Sequence, residues 1–191
     1  GGSRVEVGGG RIRGDGSVGA WAAKWVMMWG LLLRKIYLNK YDLTKYSIPM
    51  SRQWGNSGVP DELEPIAKQF PVKTVAQCRT VAEAWKGLGS AYLLSVCSGV
   101  GFEGSPLVEG FCEPRGTWNH CMLVRGRTIA KRRGKNVRAY ACQNSWGAYL
   151  SGDNHFTDLD GNIVELPEGC FLMEEGVLQR MLIENDSFLL S

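Results

Sequence analysis

Apolar and polar positions divide the chain into a helical first half and a strand-rich second half. Large apolar side chains recur every three or four residues from Ala20 to about Tyr37, which predicts a helix. Lys24 is the one early charge on its other face, so the pattern favours a helix buried nearly all round. Short helices are predicted over 60–67 and 80–87, a strand over 72–75 and a polar loop over 49–56.

After Ser90 the pattern changes to short apolar runs that are typical of strands. These runs cover 92–97, 121–126, 137–143 and 169–173, and a last short helix is predicted over 174–182. Helices followed by strands indicate an α+β class with two unlike lobes. We expect a flexible glycine-rich lead-in over 1–19 and one domain over 20–191. Its helical lobe would span about 20–90 and its β-rich lobe about 91–191.

Two polar side chains lie where predicted strands begin or end. His120 stands at the start of one apolar run, and Asn144 follows the end of another. A histidine and an asparagine held at the edge of a sheet are two members of a Cys-His-Asn hydrolase site. The third member would be a thiol at the first turn of a helix, where unpaired N–H groups lower its pKa. At the start of the predicted early helix the chain has Ala20 instead of a cysteine.

Three segments in this order resemble the papain-like cysteine peptidases, especially their divergent bacterial and phage-associated branch. Residues 16–22 (Gly-Ser-Val-Gly-Ala-Trp-Ala) are similar to the family's nucleophile segment, and Asn119-His120 is similar to its histidine strand. Residues 143–147 (Gln-Asn-Ser-Trp-Gly) are similar to its Asn-Ser-Trp-Gly turn, the most specific of the three. The resemblance implies a helical N-terminal lobe and an antiparallel β-rich C-terminal lobe with an active-site cleft between them. It also implies hydrolysis of peptide bonds in a peptide or protein substrate, without a cofactor.

The resemblance also assigns roles to single residues. His120 would be the general base and acid, Asn144 would orient its ring, and Trp146 would shield their hydrogen bond from water. Ala20 would occupy the nucleophile position, with Trp21 directly after it.

Two departures from the family pattern bear on activity. Ala20 has no nucleophile, so we expect the chain as written to be inactive. Asp15 falls where the family has the glutamine that helps to bind the oxyanion, and a carboxylate there would repel a developing negative charge. The segment is one residue shorter than the family's, and a second alignment would put Gly16 at the nucleophile position. The alternative hypothesis is therefore a natural pseudoenzyme, a binding or structural module such as one in a phage particle.

The six cysteines contain no C-x-x-C pair and do not indicate a metal site. A zinc site built from His120, His155 and cysteines lacks ligand spacing, so we expect no metal. Cys121 adjoins His120, but neighbours in a strand point to opposite faces, so it cannot serve that histidine. Cys97 is the one cysteine that could stand in for the missing nucleophile.

Charge adds one feature to this picture. The net charge of +3 is modest, but residues 125–138 form a strongly basic run between the histidine and asparagine strands. We interpret this run as a solvated hairpin loop, with an acidic partner such as another subunit or a phosphate backbone as the functional alternative. Binding of nucleic acid is the weakest of these hypotheses.

No membrane segment or signal peptide is expected. The longest apolar run, Trp25 to Leu33, is too short to cross a bilayer. It also lies too far into the chain, behind Arg11, Arg13 and Lys24, to fit an intact signal peptide. We expect a cytoplasmic or virion-associated protein.

Overall fold

The computed structural model describes residues 3–10, 16–147 and 149–191, and it contains helices and a mixed, largely antiparallel sheet. This confirms the predicted α+β class. The helices are α1 (Gly19–Trp29), α2 (Ile48–Ser57), α3 (Glu64–Ala67), α4 (Val81–Gly89) and α5 (Glu175–Leu182). A π-helical turn covers Ser3–Val7 and a 3-10 turn covers Asp61–Leu63. The strands are β1 (Ile36–Tyr37), β2 (Tyr41–Asp42), β3 (Val75–Gln77), β4 (Leu93–Val100), β5 (Leu107–Val108), β6 (Phe111–Cys112), β7 (Thr117–Arg132), β8 (Lys135–Gln143), β9 (His155–Thr157), β10 (Ile163–Glu165), β11 (Cys170–Glu174) and β12 (Ser187–Leu190).

The main sheet has the strand order β3-β12-β4-β7-β8-β11-β6-β5. Its centre is antiparallel, from β4 through β7 and β8 to β11, and β6 then joins β11 in parallel. Helices α4 and α5 pack on one face of this sheet. That face carries the larger core cluster, in which Phe102 and Phe171 meet with ring centroids 4.7 Å apart.

The opposite face of the sheet is covered in part by a smaller cluster around Phe111, Phe156 and Leu172. Strand β11 contributes to both clusters, because Phe171 and Met173 point to one face while Cys170 and Leu172 point to the other. A strand buried on both sides has no polar alternation, which explains its continuous apolar sequence.

The chain divides into two compact units, Gly1–Val75 with Leu190–Ser191 and Ala76–Leu189. The predicted boundary near residue 90 therefore lies too late, because α4 belongs with the sheet. Thr80 and Glu83 form a capping box at the start of α4. Ala84 and Leu88 then lie in the same buried cluster as the sheet residues.

Helix α1 ends earlier than the apolar pattern predicts, at Trp29 instead of about Tyr37. Gly30 follows with φ 77°, and a Cβ atom there would lie 2.2 Å from the Ala67 carbonyl oxygen. The prediction of a helix buried nearly all round is also wrong. Met27 and Met28 are 50% and 51% exposed. Of the helices in the described part of the chain, none combines the length and apolar character that a membrane span needs.

Two segments expected to be irregular contain ordered structure. The predicted lead-in includes the turn Ser3–Val7, and its Arg4 side chain is buried and donates to the Gly55 carbonyl and to Asn56 Oδ1. The predicted polar loop over 49–56 is instead helix α2. The Ser47 hydroxyl caps it by accepting from the Met50 N–H.

The basic run over 125–138 is a β-hairpin of two paired strands and not a loop. Strands β7 and β8 pair as far as Arg132 and Lys135, and Arg133-Gly134 forms the two-residue turn with φ values of 50° and 74°. Arg132 is buried between Glu113 and Glu174, with its guanidinium 4.6 Å from the centre of the Phe111 ring.

Other cations of this hairpin also have partners within the fold. Arg127 and Arg138 stack on Trp85 at 4.4 and 4.9 Å, and Arg138 also pairs with Glu175 at 3.2 Å. Arg125, Lys131 and Lys135 are exposed. An acidic partner at the hairpin stays a prediction.

Candidate functional site

His120 lies in β7, on the face of the sheet that carries the larger core cluster. Residues 118, 120, 122 and 124 share a face because side chains alternate along a strand. Met122 and Val124 are buried in that cluster, whereas His120 is half-buried nearer the start of the strand. The strand therefore fixes the imidazole at the edge of the core, where one side of the ring can meet solvent or a substrate.

Asn144 follows directly after the last residue of β8, two positions beyond the buried Cys142. Its side chain is only 3% exposed, and its Oδ1 lies 2.9 Å from His120 Nε2. The structure thus brings together two residues that are 24 positions apart in the sequence. The two strands that carry them, β7 and β8, are paired neighbours in the sheet.

The surrounding hydrogen bonds determine the tautomer of His120. Asn144 Oδ1 also accepts the backbone N–H of Ser145, at 2.7 Å. A backbone N–H can only donate, so this side-chain atom is an acceptor and must be the amide oxygen. His120 Nε2 therefore carries a proton and donates it to Asn144. In the neutral ring the lone pair is then on Nδ1, the nitrogen that can accept a proton from a nucleophile.

Aromatic side chains surround the imidazole. Trp146 stacks on His120 with centroids 4.6 Å apart and ring planes 26° apart. Trp118 meets the imidazole edge-on at 5.3 Å, and Tyr149 packs on Trp146 at 5.4 Å. Sequence reasoning identified Trp146 but missed Trp118 and Tyr149. Trp118 could have been found, because it stands two residues before His120 and must share its face.

The buried side of Asn144 faces Tyr149. The Asn144 amide nitrogen and the Tyr149 hydroxyl are both buried, and neither completes a hydrogen bond of normal geometry among the described residues. The two groups are nevertheless close. Burial raises the pKa of Tyr149 to about 12, and the nearby Asn144 amide opposes part of that rise. Tyr149 therefore stays protonated at neutral pH, next to the amide that orients His120.

Glu184 holds the strand that lies beside His120. Ser98 in β4 is in register with His120, and its hydroxyl donates to Glu184 Oε1 at 2.9 Å. The Gly99 N–H donates to the same carboxylate at 2.8 Å. These bonds fix the end of β4 next to an open groove lined by Gly99, Val100, Gly116, Thr117, Trp118, Asn119, Arg180 and Glu184. A substrate that contacts Trp118 could occupy this groove.

The predicted nucleophile segment lies in the other unit. Ala20 is exposed and is the second residue of α1, so it stands in the helix's first turn, as the sequence predicted. Trp21 packs against the Gly8 backbone, where a Cβ atom would lie 2.4 Å from the Trp21 ring. Gly16 precedes the helix with φ 107°. Asp15, predicted at the oxyanion position, lies outside the described residues.

The structure does not support Cys97 as a replacement for the missing nucleophile that would pair with His120. Cys97 is in register with Cys121, and both side chains belong to the face of the sheet opposite His120. His155 lies in β9. Within residues 3–10, 16–147 and 149–191, no group of three or more His, Cys, Asp and Glu side chains could hold a metal ion.

The arrangement in the second unit can hold the imidazole in one ring orientation, under a stacked indole. No protein-family model matches the chain, and no curated protein matches it either. Any assignment of function therefore depends on the three sequence motifs and on the geometry around His120.

Proposed function

We propose that the chain is a papain-like cysteine peptidase scaffold that is catalytically inactive as written. The hydrogen bond between His120 Nε2 and Asn144 Oδ1, at 2.9 Å, is the observation that carries the proposal. Support also comes from the stacking of Trp146 on His120 and from the position of Ala20 in the first turn of a helix. In this proposal the helical first unit and the sheet of the second unit are the two papain lobes.

The proposed chemistry needs a thiol at position 20. Helix N–H groups and a neighbouring imidazolium would hold that thiol as a thiolate, with His120 Nδ1 carrying its proton. The thiolate would attack a peptide carbonyl, and His120 would then protonate the leaving amine. Water, activated by the same ring, would hydrolyse the acyl-enzyme. Asn144 would keep the ring in place during both steps, and Trp146 would exclude water from their hydrogen bond.

The test is to restore the nucleophile. Ala20→Cys should hydrolyse a fluorogenic peptide mixture, and adding His120→Ala should lower kcat/KM by at least about 100-fold, because the thiolate and the leaving amine lose their proton partner. Ala22→Cys, which places a thiol two residues further along the same helix, is the matched control and should show no hydrolysis. If Ala20→Cys is as inactive as Ala22→Cys in folded protein, the peptidase proposal is wrong.

The second candidate is a pseudoenzyme that uses the same site for binding. It is favoured by Ala20 itself and by Trp146, which is 49% exposed over the imidazole and can contact a ligand. In that case the chain as written should bind peptides with a change in tryptophan fluorescence that Trp146→Ala removes. The parent gene separates the two candidates. An alanine codon at position 20 supports the pseudoenzyme, and a cysteine codon supports the peptidase.

A further inference from the structure

Two thiols lie side by side on the face of the sheet away from His120. Cys97 in β4 and Cys121 in β7 are direct partners in the strand register, and both are free cysteines. Their sulfur atoms are 2.7 Å apart, with the Cys97 thiol donating to Cys121 Sγ. For comparison, bonded sulfur atoms in a disulfide are about 2.0 Å apart.

The register of the two cysteines gives them a spacing that suits a disulfide. Directly opposed residues in an antiparallel pair have Cα atoms roughly 4.5–5.5 Å apart. Disulfides accept Cα separations of about 4.4–6.8 Å, a range that includes this spacing. Neither strand would have to leave the sheet.

The two thiols differ in access and in acidity. Cys121 is exposed and Cys97 is half-buried, while the four other cysteines (Cys78, Cys112, Cys142 and Cys170) are buried. The hydrogen bond from Cys97, helped by the Ser95 hydroxyl at 3.1 Å, lowers the pKa of Cys121. The pKa of Cys97 is raised, chiefly because it gives that hydrogen bond to Cys121. Because Cys121 is the exposed partner and accepts the hydrogen bond from Cys97, it is suited to attack first, and Cys97 to resolve.

We propose that Cys97 and Cys121 are a redox modification site that forms a reversible disulfide by exchange with a small-molecule disulfide such as oxidised glutathione. The Cys121 thiolate attacks one glutathione sulfur, a mixed disulfide forms, and the first glutathione leaves as a thiolate. Cys97 then loses its proton and attacks Cys121 Sγ, and the second glutathione leaves. Two protein thiols are oxidised, one glutathione disulfide is reduced, and the two protons end on the released thiols. The site does not use His120 or Asn144 and does not depend on the proposed peptidase function.

To test the proposal, the whole chain is incubated in glutathione mixtures of increasing oxidised-to-reduced ratio. The samples are then quenched with acid and alkylated, and their tryptic peptides are mapped by mass spectrometry. The disulfide should join peptide 87–115 to peptide 116–125, with two thiols lost per chain. Peptide 87–115 also contains Cys112, so the mapping is repeated in Cys112→Ala, where the same link should remain. Reduced glutathione should reverse the bond.

Two single variants test the assigned order of attack. Cys97→Ser should stop at a mixed disulfide on Cys121, whereas Cys121→Ser should form neither the link nor a comparable amount of adduct. Six free thiols at every ratio would overturn the proposal. So would a link between other cysteines, or a link that reduced glutathione cannot break. Since Cys121 is exposed, Cys121→Ser should fold. If Cys112→Ala does not fold, the number of free thiols in Cys121→Ser still tests the proposal.

Discussion

At the scale of single residues, Asn144 is the side chain on which the geometry of the site depends most. It is almost completely buried, and its one oxygen accepts from both His120 and the Ser145 backbone. An oxygen with two donors cannot rotate away without leaving both of them unpaired. Asn144 therefore fixes the tautomer of His120 and the start of the turn that carries Trp146.

Removing that side chain should weaken the fold as well as the site. Asn144→Ala should lower the free energy of unfolding by about 1–3 kcal/mol, because the His120 ring N–H and the Ser145 N–H both lose their acceptor and a buried side chain is removed. Chemical denaturation measures the change. Asn119→Ala, next to His120 but exposed, is the matched control and should stay within about 0.5 kcal/mol of the parent chain. Equal stability of the two variants would mean that the Asn144 hydrogen bonds are not held as described.

At the scale of elements, the end of α1 is set by backbone conformation and not by the apolar pattern. Gly30 adopts a positive φ, and the Ala67 carbonyl lies where a side chain would begin. Leu31, Leu33 and Ile36 continue the helical spacing beyond this glycine but are exposed. The turn after α1 thus requires glycine for two separate reasons.

Gly30→Ala should consequently be costly. A left-handed φ and a contact of 2.2 Å with Ala67 together should remove about 2–4 kcal/mol from the free energy of unfolding. Gly176→Ala is the matched control, because it lies in helix α5 with open space around its Cβ position, and it should be neutral or slightly stabilising. Thermal unfolding of both variants measures the difference. A Gly30→Ala variant as stable as Gly176→Ala would rule out the close approach to Ala67.

How far the sequence predicts these elements depends on which physical signal each one carries. The runs at 92–97, 121–126 and 137–143 were found because strand burial leaves an apolar pattern, and the His120 and Asn144 positions followed from the ends of those runs. Helix α2 was missed because its segment is polar and contains Gly55, although Ser47 and Pro49 are start signals. The sequence predicts a solvated loop over 125–138 because the run is strongly basic. The pairing of Arg132 and Arg138 with Glu113, Glu174 and Glu175 is set by distant parts of the chain.

At the scale of the whole molecule, the residues that the proposed function needs belong to two compact units. His120 and Asn144 belong to the unit Ala76–Leu189, and position 20 belongs to the other. The sequence order of the three motifs predicts their meeting, and the geometry within the second unit accounts for two of the three. The proposed activity requires that a thiol at position 20 reach His120.

The measurement that tests this requirement most directly is the rate at which iodoacetamide labels Ala20→Cys at pH 6, followed on tryptic peptide 14–24, which has no other cysteine. A thiol paired with His120 is ionised at pH 6, whereas an ordinary thiol with a pKa of about 8.5 is almost fully protonated. We predict that Ala20→Cys is labelled fast and that adding His120→Ala lowers the labelling rate by at least about 10-fold. In Ala22→Cys, adding His120→Ala should not lower the labelling rate in this way. Slow labelling at pH 6 that rises only near pH 8.5 and does not respond to His120→Ala would contradict the proposal.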